Sequence, residues 1–243
     1  RAFLRFLGAE GLIVGDPSRE IAYARQPKRL PRSVLTQAEM KQILQAPNTK
    51  SALGYRDRTI LELMYSTGLR KQEVNNLLVT DVDYVEGFVR VNAGKGNKDR
   101  VVPLGKIGCR YLENYIKAVR PSLIRDPYER PLFLSLRGRS LSRNVLWDVV
   151  RRSATTAQIL KKVSPHTFRH TCATMLFRHG LNAKQVQMWL GHHSPAFTLA
   201  TYVHLLPDDL PDATFLDGLT GGHTGATQPP EKSRDTADVE EAE

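Results

Sequence analysis

The chain has 243 residues, 41% of them hydrophobic and 25% charged, with a formal net charge of +10. That apolar content supports a packed core and excludes wholesale disorder. No apolar run is long enough for a bilayer-spanning helix, and two cysteines, Cys109 and Cys172, form neither a disulfide framework nor a CxxC metal site, which fits a reducing, cytoplasmic location.

Residues 1–14 open with Phe3, Leu4, Phe6 and Leu7 at helical spacing, and are expected to be the terminal helix of a truncated N-terminal domain. Residues 15–35 are rich in Pro and basic side chains, including Lys28, Arg29 and Arg32, and read as a cationic linker. Thr36-x-x-Glu39 is a capping box ahead of Met40, Ile43 and Leu44. A helix is predicted from Tyr55 to Ser66, with Gly68 as its stop and a second helix from about Arg70 to Leu78.

The period then changes to two. Strands are predicted over 88–93 and over Arg100 to Leu104, joined by the turn Gly94-Lys-Gly-Asn-Lys-Asp99. A helix over about 106–119 follows, then a third strand over Pro131 to Ser135. Helices are predicted over 142–156, 166–179, 183–190 and 196–206. The fold class is therefore mainly α with a small antiparallel β-sheet (α+β). The main domain runs over 36–219, and residues 220–243, with Gly, Thr, Pro and acid, read as a disordered acidic tail. That tail holds six carboxylates against two basic side chains, a net −4. Taken from +10, it leaves +14 on the rest, a body charge suited to a polyanion.

The chemistry-bearing residues form an ordered set. His166 and Arg169, three apart just after Ser164-Pro165, share one face of a helix start, an arrangement suited to a phosphate oxyanion. His170 lies four residues from His166, but Thr167 stands where a zinc-protease helix would need Glu, so no metal is expected. Arg70 follows a helix-breaking glycine with Glu73 three residues on, and Lys95 sits in the hairpin turn. Leu190-Gly-His192 closes one helix and Tyr202 comes ten residues after the histidine. Singly, each has an ordinary explanation: an exposed ion pair, a solvated turn, a half-buried tyrosine.

Taken in order, Thr67-Gly-Leu-Arg70, Gly94-Lys-Gly-Asn-Lys98, His166-x-x-Arg-His170, Leu190-Gly-His192 and Tyr202 resemble the phage-integrase and Xer-type tyrosine recombinases, over about residues 34–219. The resemblance implies the catalytic-domain fold of that family, the N-terminal helix being the end of a core-binding domain. It also implies site-specific DNA recombination or integration through a 3′-phosphotyrosyl intermediate, without metal, ATP or other cofactor. By the same resemblance Arg70, Lys95, His166, Arg169, His192 and Tyr202 are the catalytic residues. Tyr202 is the nucleophile, Arg70 and Arg169 clamp the phosphate, and His192 adds a hydrogen bond. His166 assists proton transfer and Lys95 protonates the leaving 5′-oxygen.

Glu73 and His170 are expected to orient these groups, and Lys28, Arg29, Arg32, Lys98 and Arg100 are candidate DNA contacts. His193, nine residues before Tyr202, competes with His192, but Thr201-Tyr-Val-His-Leu205 matches the ten-step form and favours His192. The implied partner is double-stranded DNA, bound by a homotetramer on paired sites, with accessory DNA-bending or directionality proteins possible and no membrane. Leu210, Leu216 and Leu219 form an apolar strip that either docks on a neighbouring protomer or packs on its own domain. Two other outcomes stay open: a topoisomerase-like enzyme with the same nucleophile, and a DNA-binding remnant. The target sequence and the phage, mobile-element or chromosomal setting leave no trace in the chain.

Overall fold

The computed structural model describes residues 2–14, 17, 34–92, 99–142, 144–192 and 194–202. The linker residues Lys28, Arg29 and Arg32, the turn residues Lys95 and Lys98, His193, the apolar strip and the acidic tail all lie outside this set.

Helix α1 (Ala2–Ala9) buries none of its residues. Helix α2 (Gln37–Gln45) starts at the capping box expected for it. The Thr36 hydroxyl accepts from the Glu39 N–H at 3.2 Å, and the Glu39 carboxylate accepts from the Thr36 N–H at 2.8 Å. Its buried face is Met40, Ile43 and Leu44.

Helix α3 (Ala52–Thr67) is the centre of the domain. Ile60, Leu61, Leu63 and Met64 are at most 1% exposed, and six consecutive buried positions from 59 to 64 mean that apolar and polar faces alike are covered. Most of its buried polar groups are therefore paired, Arg58 Nε being an exception. Arg56 donates to the Leu134 carbonyl at 2.8 Å and to Asp57, and Arg58 pairs with Glu62. Helix α3 ends at Gly68 in the left-handed conformation (φ 62°), whose N–H closes on the Met64 carbonyl. A short helix α4 (Lys71–Asn76) follows; the second predicted helix ends there, and Leu77 is extended.

The sheet has three antiparallel strands in the order β1 (Val82–Asp83), β2 (Phe88–Val91), β3 (Arg100–Pro103). Strand β2 pairs with β3 in the register Val89↔Val102 and Val91↔Arg100, which sends Val89, Val91 and Val102 into the core. The two-residue β1 carries too short a pattern to be recognised in sequence. The third strand expected over Pro131 to Ser135 does not form. That segment makes only isolated bridges, Leu78↔Pro131 and Leu134↔Ser140, because Leu132 and Leu134 are fully buried against the helices instead of lying in a ladder.

Helix α5 (Lys106–Asn114) runs into a π turn at Tyr115–Val119 and then α6 (Arg120–Leu123). Pro121, which lacks an N–H, sits in the first turn of α6 and interrupts the regular ladder just where the π turn widens it. Helices α7 (Val145–Thr156), α8 (Pro165–Arg178), α9 (Ala183–Leu190) and α10 (Pro195–Tyr202) complete the domain. Helix α8 packs on α3 and α9, and α9 packs on α10 and β3. No helix among the described residues is long and apolar enough to cross a membrane.

The close approach of α3, α8 and α9 rests on Gly68. A Cβ there would lie 2.6 Å from Leu190 Cδ2 and 3.0 Å from Cys172 Sγ. Gly180, also at positive φ (81°), has nothing within 4 Å of an added Cβ. Gly68→Ala is expected to cost about 2–4 kcal/mol, from backbone strain plus overpacking, and Gly180→Ala about 1 kcal/mol from strain alone. Urea denaturation midpoints of the two variants check this.

Candidate functional site

The left-handed Gly68 turns the chain so that Arg70 becomes the N-cap of α4. Glu73, one turn on, folds back, and its carboxylate accepts from the Arg70 N–H at 2.8 Å and from Arg70 Nη1 at 2.9 Å. The Thr67-Gly-Leu-Arg70 segment and Glu73 are thus one local device that holds the arginine at a helix start.

The second device is the end of α9. Gly191 caps it in the left-handed conformation (φ 68°). The last carbonyls of a helix lack intrahelical partners and carry the negative end of its dipole. Here three in a row are taken by three arginines from elsewhere in the chain. Arg100 Nε donates to the Trp189 carbonyl (3.2 Å), Arg169 Nη2 to that of Leu190 (2.8 Å) and Arg70 Nη2 to that of Gly191 (2.7 Å). Arg169 also donates to the Gly68 carbonyl at 2.7 Å, tying the two left-handed turns together.

Arg70 keeps 40% of its side chain exposed. Arg169 is buried. Desolvation, with the neighbouring Arg70 and Arg100 charges also disfavouring protonation, brings its pKa down to about 10, so it still carries its charge at neutral pH.

His166 lies in the first turn of α8, exposed, after the Ser164 cap that binds the Thr167 N–H. His192 follows the α9 cap. Its Nδ1 bonds the Thr198 hydroxyl at 2.8 Å, its edge meets Phe197, and its ring lies nearly parallel to Tyr202 at 6.4 Å.

Tyr202, at the end of α10, is 1% exposed. It sits against Phe177 and His170, with its hydroxyl 2.6 Å from His170 Nδ1. Burial raises its pKa to about 12, against the opposing pull of Arg169. Burial, with His166 and Arg169 close by, lowers the His170 pKa to about 4. The pair is therefore a neutral phenol on a neutral imidazole at physiological pH.

The structure thus brings together Arg70, Glu73, Arg169, His170, His192 and Tyr202, with His166 at the adjoining helix start; Lys95 is outside the described residues. His170, expected to orient a catalytic group, is in direct contact with the Tyr202 hydroxyl. One expectation changes. Arg100, expected among the DNA contacts, is turned inward: both of its Nη atoms bond Glu73, at 2.9 and 2.8 Å, and its side chain is 12% exposed. The signal for this pairing was weak in sequence, because 27 residues separate Arg100 from Glu73 and only the fold of β3 onto α9 joins them. Among the described residues no cluster of three or more His, Cys, Asp or Glu side chains is placed to hold a metal ion.

Residues 33–208 match the phage integrase family. The tyrosine recombinase XerD of Staphylococcus saprophyticus is 40% identical over 205 residues, which cover 84% of this chain and 68% of the relative. In three dimensions the chain is similar to XerA recombinase (TM-score 0.64, 32% identity, covering 80% of this chain and 66% of that one). It is also similar to XerH site-specific recombinase bound to its difH substrate in a pre-cleavage complex (TM-score 0.62, 25% identity). That match covers 72% of this chain and 51% of XerH, so the chain spans about half the length of that protein. The conjunction of a matched family, a XerD relative at this identity and a shared fold has one conclusion: the chain belongs to the phage integrase family of tyrosine recombinases.

Proposed function

We propose that this chain carries out the strand cleavage and rejoining steps of site-specific DNA recombination, through a covalent 3′-phosphotyrosyl link to Tyr202. The observation that carries the reading is the convergence of Arg70 and Arg169 on the end of α9, beside His192 and Tyr202. Arginine suits a phosphate clamp because its planar fork stays charged and donates parallel hydrogen bonds. The two guanidiniums spend only part of their donors on backbone carbonyls and Glu73, and the remainder serve the non-bridging oxygens of a scissile phosphate. His192 adds a donor to that phosphate. The DNA-bound state of XerH supports DNA as the partner.

In the reaction the Tyr202 oxygen attacks phosphorus, the bond from phosphorus to the 5′-oxygen breaks, and the leaving oxygen takes a proton from Lys95. The phenolic proton passes to a histidine, His166 by its place at the phosphate-facing helix start. A phenol with a pKa near 12 holds almost no phenolate at neutral pH, so this transfer is needed for attack. The covalent link keeps the energy of the broken strand, and rejoining by the free 5′-hydroxyl reverses each bond change. Exchange between two duplexes breaks four strands and each chain offers one Tyr202, so four protomers act on paired sites.

A phosphate has to reach a hydroxyl that is now 1% exposed and held by His170. Cleavage therefore follows release of the Tyr202 ring from the pocket of His170, Phe177 and His192. Docked α10 is the resting arrangement.

Two measurements test this. On nicked duplexes, wild-type chain is expected to leave a covalent protein–DNA complex after denaturation, and Tyr202→Phe none; a complex surviving Tyr202→Phe refutes the reading. Arg70→Ala is expected to slow complex formation by roughly 10²–10³-fold, as for loss of one preorganised charged donor.

The docked state should also depend on pH. The unfolded chain binds a proton at His170 near pH 6.5, and the folded chain only near pH 4. Stability from this site is thus complete above about pH 6.5 and is lost as pH falls through that window towards 4. Thermal midpoints should drop between pH 7 and pH 4, with a shallower drop in His170→Asn.

A further inference from the structure

Arg100 is the first residue of β3, and each nitrogen of its guanidinium makes a bond inside the protein. Nη1 donates to Glu73 Oε1 (2.9 Å), Nη2 to Glu73 Oε2 (2.8 Å) and Nε to the Trp189 carbonyl (3.2 Å). Glu73 receives four bonds, two on each oxygen. Oε1 takes one from Arg100 and one from Arg70 Nη1; Oε2 takes one from Arg100 and one from the Arg70 backbone. Burial alone would raise the pKa of this carboxyl, but the hydrogen bond and charge of Arg100, followed by the bonds from Arg70, hold it below the usual carboxylate range.

The packing is as tight as the bonding. A Cβ on Gly191 would fall 2.8 Å from Arg100 Cζ and Nη1 and 2.9 Å from Nε, so the guanidinium lies against bare backbone. The carbonyl of that same Gly191 holds Arg70.

This arrangement has an electrostatic consequence. A carboxylate bonded only to Arg70 would cancel much of that guanidinium's charge and draw it inward. With Arg100 gripping both oxygens, the carboxylate is already matched, and Arg70 is held by it without being neutralised. Arg100, Glu73 and Arg70 together keep one net positive charge, on the arginine that is 40% exposed.

We propose that Arg100 is a positioning residue for cleavage. By gripping Glu73 and the end of α9, it fixes the Arg70 guanidinium and leaves its charge free for the scissile phosphate. The proposal rests on the reading of Arg70 as a phosphate ligand, and it places none of Arg100's own donors on DNA.

The test compares two forms of one substrate. A nicked duplex is first recovered from a randomised pool by covalent capture on the wild-type chain. It is then made with either a normal scissile phosphate or a methylphosphonate, in which one non-bridging oxygen is replaced by a neutral methyl group. The substitution removes the charge that Arg70 is there to meet, so a variant that lacks only this function regains rate on one diastereomer.

Arg70→Ala is the reference. Arg100→Gln is expected to be slowed roughly 100-fold on phosphate, of the order of one lost charged donor. On the diastereomer that restores Arg70→Ala, it is expected to come within a few-fold of wild type. Arg100→Lys, which keeps the charge but not the fork, is expected to fall between wild type and Arg100→Gln. It serves for the same comparison if Arg100→Gln does not fold.

An equal loss on phosphate and methylphosphonate would mean that Arg100 serves folding alone, and would overturn the proposal. So would a wild-type rate on phosphate for both Arg100 variants. Failure of either diastereomer to restore Arg70→Ala would instead refute Arg70 as the phosphate ligand, and the inference with it. Failure of the wild-type chain to capture any duplex would refute the assignment of Tyr202.

Discussion

The C-terminal turn of α9 is the interaction on which the site depends. Its three last carbonyls have no partners in their own helix, and each is satisfied by an arginine delivered from a different element: Arg100 from β3, Arg169 from α8 and Arg70 from the start of α4. Helix ends must be satisfied somehow, and a negative dipole end favours cations. The protein uses that requirement to gather like charges that would otherwise repel. Gly191 makes it possible twice over, by supplying the left-handed cap that presents the carbonyls and by leaving room for the Arg100 guanidinium.

Burying Arg169 among two other guanidiniums has an energetic cost: desolvation first, and then the Arg70 and Arg100 charges, lower its pKa. Glu73 offsets part of it, and the bonds to the carbonyls of Gly68 and Leu190 replace the hydration that Arg169 has lost. What remains is a partly buried, preorganised positive centre. Such a centre stabilises charge developing on a phosphate without having to reorganise during the reaction. The same features that make it expensive in the resting protein make it useful once an anion arrives.

Tyr202 shows the opposite arrangement. It is as buried as the aliphatic core, and its hydroxyl is satisfied by His170, so the resting protein treats it as a structural residue. On the proposed reading, a nucleophile stored in this way is protected, and its exposure is coupled to the position of α10. The charge centre is built from α4, α8, α9 and β3, whereas Tyr202 sits on the last described helix, which packs on α9.

Much of this was legible in the sequence. Capping chemistry located α2 through Thr36 and Glu39, because caps are local. Period-two alternation located β2 and β3, since each has one face in the core. The ordered motifs from Arg70 to Tyr202 pointed to the family. The sequence was silent wherever a residue's fate depended on a distant partner. Leu132 and Leu134 looked like a strand and became core plugs, because burial against helices outweighed ladder formation. Arg100 looked like a DNA contact and became the partner of Glu73. That His170 would meet the Tyr202 hydroxyl, 32 residues on, was not readable from spacing. Local spacing determines which residues share a helix face or a turn; which carbonyl meets which arginine is decided only when α9 closes on α3, α8 and β3.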